Sequence, residues 1–303
     1  MIEDRLRLVV TGLRGQVVSA LIERAPKDVE VIALGRPQIE LSKRDTINAA
    51  FRRVGCDAII NAAAYTQVDQ AESEPEIAMQ VNGHGALHVA EAAKELNIPL
   101  IQISTDYIFN GTFNRPYREE DTPAPIGVYG RSKLFGEEKI KEIHPNHVIL
   151  RTAWIFSPFG KNFVKTMLRL GKTQDEIRVV SDQVGNPTSA MDFADKLIEL
   201  SKRVAGDSSP LLRGVFHMTG GGEASWADFA KAIFLAAEKK GYKSPLIKKI
   251  NTSNYPTRAR RPLNSRLDNS KLREAYGIQL SDWKESLGSC VDRILSETQD
   301  NTH

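Results

Sequence analysis

Tyr129 and Lys133 are separated by three residues in "YGRSKLFGEE". On a helix that spacing puts both side chains on one face. A lysine ammonium beside a phenol favours the phenolate and is expected to draw the tyrosine pKa down toward neutrality. A phenol tuned in this way can give its proton to a carbonyl oxygen while hydride reaches the carbon, and can act as base in the reverse direction. Thr105 ends the apolar run "PLIQIST" at 99–105. From a strand's carboxyl end its hydroxyl can bind the same oxygen. A tyrosine and a lysine at this spacing are common on surface helices, so the chemistry depends on what else the chain places beside them.

A hydride needs a carrier, and the stretch "LVVTGLRGQVVSALI" at 8–22 offers a place for one. It follows an apolar run and opens a helical pattern, as a dinucleotide-binding turn does. Gly12 permits the tight turn, and Gly15 lets the backbone approach a pyrophosphate over the free N–H groups of a helix N-terminus. Val18 stands where the third glycine of the pattern falls. That glycine serves helix–strand packing, so the helix is expected to sit slightly off its usual contact while phosphate binding stays intact. After the second apolar run comes "ALGRPQIE", with Arg36 where NAD sites carry a carboxylate and no acid until Glu40. An arginine there accommodates a 2′-phosphate. The cofactor reading is therefore NADPH or NADH, with NADPH favoured by Arg36.

These residues need strands and helices to hold them. "LRLVVT" (6–11), "VEVIAL" (29–34), "DAIINAA" (57–63), "PLIQIST" (99–105) and "HVILRTAW" (147–154) are short, β-branched and nearly continuous in apolar character. Such runs suit strands covered on both faces. Helical patterns at 44–53, 76–96 and 128–143 lie between them. The alternation predicts an α/β fold, a Rossmann-type doubly wound parallel sheet. Residues 1–155 are read as mainly dinucleotide-binding. Residues 156–303 are read as mainly a smaller, mixed C-terminal substrate-binding lobe, with some segments returning to the first domain. In that lobe 161–170 and 225–241 read as helices, the latter with Gly241 as a C-terminal cap. Residues 177–190 read as a strand and turn, the Pro- and Arg-rich 255–272 as irregular, and the polar end from Ser296 as frayed.

Bulk properties exclude several classes. The net charge of +3 over 303 residues, with "RARR" (258–261) the densest basic stretch, gives no nucleic-acid face. No apolar run approaches the roughly 20 residues of a membrane helix. The start "MIEDRLRLVV" is not read as a signal peptide. Cys56 and Cys290 form neither a disulfide framework nor a metal spacing, and Cys56 is expected in the core. A cytoplasmic location is the default reading, and no metal site is read.

The ordered set of glycine turn, "NAAAYT", a Ser/Thr strand end and Y-x-x-x-K resembles the extended short-chain dehydrogenase/reductase superfamily. "STDYIFNG", "PIGVYGRSKLFGE", "GKNFVKTMLRL", "DQVGNPTSA" and "YPTRARRPLNSRLD" narrow this. In that order they resemble the dTDP-4-dehydrorhamnose reductases, from about Leu8 to near Leu295. The resemblance implies NAD(P)H-dependent reduction of the C4 ketone of dTDP-4-dehydro-β-L-rhamnose, the last step of dTDP-L-rhamnose synthesis. It implies Tyr129 as proton donor, Lys133 as its tuner and ribose ligand, and Thr105 at the carbonyl. Arg14, Gly15 and Gln16 would bind cofactor phosphates, Glu40 and Leu41 lie near the adenine, and Ala64, Tyr65 and Thr66 line the cofactor. Val68, Asp106, Tyr107 and Trp154 would surround the sugar, and Asn162 with the Arg260–Arg261 region would face the nucleotide diphosphate. Asn110 stands where such chains frequently carry aspartate. Some members are metal-linked dimers through surface glutamates that no motif places here, so monomer or homodimer stays open, as does Mg2+. Two alternatives also stay open. One is another sugar-nucleotide reductase or epimerase, which would keep NAD bound without net NADPH consumption. The other is a non-catalytic subunit resembling the regulatory subunit of methionine adenosyltransferase, which would capture a catalytic partner.

Overall fold

A computed structural model describes residues 5–300, with the side chains of 298–300 left aside. The five apolar runs form β1 (Leu6–Thr11), β2 (Val29–Leu34), β3 (Ala58–Asn61), β4 (Leu100–Thr105) and β5 (His147–Thr152). A sixth strand, Gly214–His217, which the sequence reading missed, joins beyond β5. All pairings are parallel, in the order β2-β1-β3-β4-β5-(214–217). The chain steps from β1 to β2 and then returns across β1 to β3. The order therefore reverses between β1 and β3, and a crevice opens outside the carboxyl ends of those strands.

Alternation along the strands divides the core. Leu8, Val10, Ala58, Ile60, Val148 and Leu150 face one layer, shared with Leu21 of helix Gln16–Arg24 and with Phe193 and Leu197. Val9, Ile59, Leu100 and Ile149 face the other, shared with Phe51, Ala86, Val89 and Ile140. Helix Ala190–Gly206, also unforeseen, covers the first face together with the glycine-turn helix. The second half of the chain thus returns to the sheet twice. A third cluster, with Val164, Phe229, Ile233, Phe234, Trp283 and Val291, joins helices Phe163–Gly171, Trp226–Glu238 and Trp283–Asp300. A parallel ribbon of Glu176–Val180 and Leu246–Ile250 packs beside it.

Several expectations need adjustment. Residues 296–300, expected to be frayed, continue the last helix. His303 and its two neighbours lie outside the described residues, as do Met1–Asp4, the start of the stretch weighed as a leader. Helix Trp226–Glu238 ends before Gly241, which has φ +78° two residues past the cap. Cys56 is half-buried and packs at the margin of the second core layer, and both cysteines are free.

The pattern at 76–96 is not one regular helix. Met79–His84 form a π turn between α-helical Pro75–Ala78 and Gly85–Leu96. Asn82 in that turn donates from Nδ2 to the Tyr65 carbonyl (3.0 Å) and the Ser132 hydroxyl (3.0 Å), and its Oδ1 accepts from the Tyr65 N–H (2.8 Å). One side chain thereby ties the loop after β3 to helix Val128–Ile143. That helix approaches its neighbours at backbone distance. A Cβ on Gly130 would stand 2.2 Å from the Tyr107 carbonyl oxygen, and one on Gly136 would stand 2.5 Å from that of Asn82. We expect Gly130→Ala to displace the helix from the loop after β4. It should lower the unfolding free energy by about 1–3 kcal/mol in urea titration, and an unchanged midpoint would show the approach to be slack.

Candidate active site

Two joined cavities occupy the crevice. One of about 1100 Å3 runs past the ends of β1, β2 and β3, and the other, of about 730 Å3, runs over the ends of β4 and β5. They share Gly12, Arg14, Ala63, Ala64 and Thr66.

At the junction Gly12 has φ +102°, a conformation side chains rarely adopt. Helix Gln16–Arg24 begins at Gly15 with no side-chain cap, so its first-turn N–H groups open toward the cleft. Val18 is buried, and its Cγ2 lies 3.4 Å from where a Gly12 Cβ would stand. The valine packs against the turn and also lines the smaller cavity. Arg14 and Arg36 are exposed on the cleft wall, and no ion pair among the described residues holds either. Glu40 and Leu41 lie on the same wall. The Glu40 carboxylate is committed to Lys43 (2.8 Å) and to the Ser42 hydroxyl (3.0 Å). The Leu41 carbonyl is 2.9 Å from His88 Nδ1. Ala64, Tyr65 and Thr66 line the floor, with the Tyr65 hydroxyl donating to Glu74. The residues present fit a dinucleotide: a glycine turn, uncapped helix amides and two unpaired arginines face one continuous cleft.

The second cavity gathers Val68, Thr105, Asp106, Tyr107, Tyr129, Lys133, Trp154 and Asn162. Tyr129 and Tyr107 meet edge to face at 5.8 Å. Thr105 Oγ1 donates to Asp106 Oδ1 (2.9 Å) and accepts from the Tyr107 N–H (3.2 Å). Asp106 is buried, and among the described residues no geometric hydrogen bond reaches its Oδ2. Burial pushes the Asp106 carboxyl up to about 7. The Lys133 ammonium donates to the Ile103 carbonyl at 2.7 Å, and burial lowers its pKa to about 8 while Glu137 opposes the shift.

Tyr129 departs from the sequence reading. Burial raises its pKa to about 12; Thr105 pulls it down, and Asp106 pushes it up. Lys133 donates to the Ile103 carbonyl, and in the ligand-free cleft burial is the largest influence on the phenol. The phenol consequently holds its proton at neutral pH, as a donor to a ketone must.

Other residues also take particular places. Trp154 adopts φ +46°, a strained backbone for a side-chain-bearing residue. Its indole stacks face to face on Trp226 at 3.5 Å and 8°. A Cβ at Gly185 would meet that ring at 2.5 Å. Asn162 Nδ2 donates to the Ser157 carbonyl, the Phe159 carbonyl and Gln16 Oε1 (2.8–3.2 Å), and its Oδ1 caps helix Phe163–Gly171. Gln16 and Asn162 thus hold each other, and the Asn162 amide is occupied by the fold. Arg261 does not line the cavity of Tyr129. It pairs with Asp69 at 2.6 Å and lines a separate cleft of about 640 Å3 with Arg260 and Arg266.

A model of the RmlD substrate-binding domain family matches residues 6–296. A dTDP-4-dehydrorhamnose reductase of Sinorhizobium fredii is 48% identical over 295 residues, covering 97% of this chain and 100% of the relative. The chain belongs to the dTDP-4-dehydrorhamnose reductase family. The Escherichia coli reductase is 39% identical, covering 86% of this chain and 87% of its own. The crystal structure of the Bacillus anthracis reductase in complex with NADP superposes with a TM-score of 0.89 at 34% identity, covering 95% and 99% of the two chains. A Thermus thermophilus UDP-glucose 4-epimerase, at 19% identity, covering 95% and 99% of the two chains, and TM-score 0.78, shares the fold. Like other members of the reductase family, the chain is an NAD(P)H-dependent oxidoreductase.

Sequence reasoning overlooked several cleft residues. Leu13 and Ile77 are exposed apolar side chains on the larger cavity, and Lys161 and Trp226 lie on the smaller. Trp226 was read only as the apolar face of its helix; its spacing gives the face but not that the helix ends at the cleft. Among the described residues no acidic or His/Cys cluster could hold a metal, and no helix is long and apolar enough to cross a membrane.

The cost of burying Lys133 makes its role measurable. Its folded pKa lies below the unfolded value, so the penalty is full below about pH 8 and fades as pH rises to 10.5. We expect Lys133→Met to raise the unfolding free energy of the ligand-free protein at pH 7 by about 1–2 kcal/mol while removing turnover. The gain should vanish in denaturant titrations near pH 11. A stability loss at pH 7 would mark the lysine as a structural residue.

Proposed function

We propose that this chain reduces the C4 ketone of dTDP-4-dehydro-β-L-rhamnose to dTDP-L-rhamnose with NADPH or NADH. The observation that carries the reading is the convergence of Tyr129 with the buried Thr105 and Lys133 at the carboxyl end of β4, beside a cleft fit for a dinucleotide. The names borne by relatives at up to 48% identity support the substrate.

A reduced nicotinamide supplies the hydride when bound. The chain's part is to place the ketone and move a proton. Tyr129, protonated at neutral pH, gives its phenolic proton to the ketone oxygen. Thr105 turns its hydroxyl from Asp106 to that oxygen. Lys133 spends one of its three donors on Ile103 and offers the others to a ribose hydroxyl, while its charge steadies the phenolate left behind. Asp106 meets a sugar hydroxyl, and Val68, Tyr107 and Trp154 enclose the ring. The nucleotide end points toward Arg260 and Arg261. Gln16 and Asn162 act together by holding the 155–162 segment against the glycine turn.

In the same reading Gly12, Arg14 and Gly15 hold the pyrophosphate and Arg36 meets a 2′-phosphate, so NADPH is preferred. Leu41, Glu40 and the 64–66 segment flank the adenosine half. Residues 1–155 serve mainly the cofactor and 156–303 mainly the nucleotide sugar. The enzyme works in the cytoplasm as a monomer or homodimer.

Two measurements test this. Tyr129→Phe is expected to bind NADPH as the wild type does and to lose at least about a hundredfold in kcat. Wild-type NADPH oxidation on enzymatically generated dTDP-4-dehydrorhamnose would remove Tyr129 from the chemistry. Arg36→Ala is expected to raise the KM for NADPH by about tenfold, a change of about 1.4 kcal/mol, and to leave that for NADH unaltered. Equal effects on both cofactors would place Arg36 away from the 2′ position.

A further inference from the structure

Helix Val128–Ile143 is fastened to three consecutive residues of β4. Lys133 donates to the Ile103 carbonyl, the Ser104 hydroxyl donates to Glu137 Oε1 at 2.5 Å, and Tyr129 interacts with Thr105. Glu137 is the one of these groups the mechanism leaves unused. It is buried and paired with Arg151 of β5, whose Nη2 lies 2.7 Å from Oε2 and whose Nε lies 3.1 and 3.2 Å from the two oxygens. The side chains are 0% and 2% exposed. Phe109 lies 5.3 Å from the guanidinium carbon, and His217 Nε2 is 3.5 Å from Nη1.

A buried pair of this kind is a poor device for stability alone. Removing two charges from water costs several kcal/mol, and apolar replacements of similar shape are often as stable. Its location is what distinguishes it. Glu137 follows Lys133 by four residues, so the carboxylate lies one helical turn from the ammonium on the same face.

We propose that Glu137 is a positioning residue for Lys133. It supplies the buried counter-charge that keeps the ammonium charged and aimed at the reacting centre, and Arg151 holds Glu137 in place. This rests on the reading that Lys133 works with Tyr129.

The other titratable groups on the elements around Lys133 are poorly suited to the task. Tyr129 on the same helix keeps its proton. Asp106 at the end of β4 is pushed up to about 7 by burial and is only partly charged at neutral pH. Arg151 on β5 is a cation. Behind it His217 is neutral: burial first, then Arg151, push its imidazole down to about 3. Glu137, ion-paired with Arg151, is the carboxylate that favours the charged ammonium. Without it the ammonium would lose its proton at lower pH, because burial opposes the charge and nothing offsets it.

The test is Glu137→Gln in the full-length enzyme, assayed by NADPH oxidation with dTDP-4-dehydrorhamnose from pH 6 to 10. We expect kcat to fall about tenfold at pH 8, with the alkaline limb of its pH profile moving acid-ward by about one unit. The KM for the nucleotide sugar should stay within about twofold. Ser104→Ala, which removes a bond to Glu137 but leaves its charge, should keep the wild-type limb. A limb superimposable on the wild type in Glu137→Gln overturns the proposal, whatever happens to kcat. If that variant fails to fold, Glu137→Gln/Arg151→Met removes both charges and keeps the packing. The same acid-ward limb is expected there, and an unmoved one overturns the proposal. Lys133→Met separates the two readings. Substantial turnover in that variant defeats the catalytic assignment itself, whereas its inactivity beside an unmoved Glu137→Gln limb defeats only the role given to Glu137.

Discussion

The reversal of strand order between β1 and β3 is the constraint on which the molecule depends. Parallel strands joined by right-handed crossovers place successive helices on one face until the order reverses, and then on the other. At the reversal the two loops diverge and leave a crevice that no helix covers. The glycine turn after β1 and the Ala62–Thr66 segment after β3 form its two lips. The end of β4, one strand further on, brings Thr105 and Asp106 to the same opening. An anion cradle and a proton donor are therefore neighbours because of topology, before any side chain is chosen.

Within that frame the proton-handling groups are set by dryness more than by mutual contact. Tyr129, Lys133 and Asp106 are all moved by burial first, each toward its neutral form. A phenol raised in this way keeps its proton at neutral pH and is the weaker acid for it, so its transfer to a ketone oxygen depends on charge that steadies the phenolate left behind. The cost appears in the supports: close glycine contacts under the helix, a π turn that carries Asn82, and a deeply buried ion pair. Irregular helical turns of this type commonly accompany functional sites, and here the irregularity lets one amide serve two elements.

Much of this was legible in the chain because doubly covered strands leave a strong trace. The continuous apolar runs of β1 to β5 fall within one or two residues of their observed bounds, and nearly every proposed site residue lines the crevice. What escaped did so for physical reasons. Gly214–His217 is four residues long and begins with glycine, too short to show a period. Ala190–Gly206 has a helical period but follows a turn without a break. The π turn adds a residue that slides the apolar stripe, so 76–96 reads as regular. Glu137 and Arg151 lie fourteen residues apart on different elements, and no local pattern announces their meeting. The pairing of Arg261 with Asp69 was not legible, because an arginine-rich loop shows its charge in sequence but not its partner.

The stacked indoles have an implication for how such a pocket can diverge. Trp154 holds its left-handed backbone with one ring face covered by Trp226 and its edge fitted against the bare Cα of Gly185. Each of the three limits the other two. A side chain at Gly185 would evict the ring, and a smaller residue at Trp226 would leave it unsupported. Inheritance of this wall of the cavity is thus tied across three distant stretches of the chain, so a change at any one of them is viable only when the other two change with it.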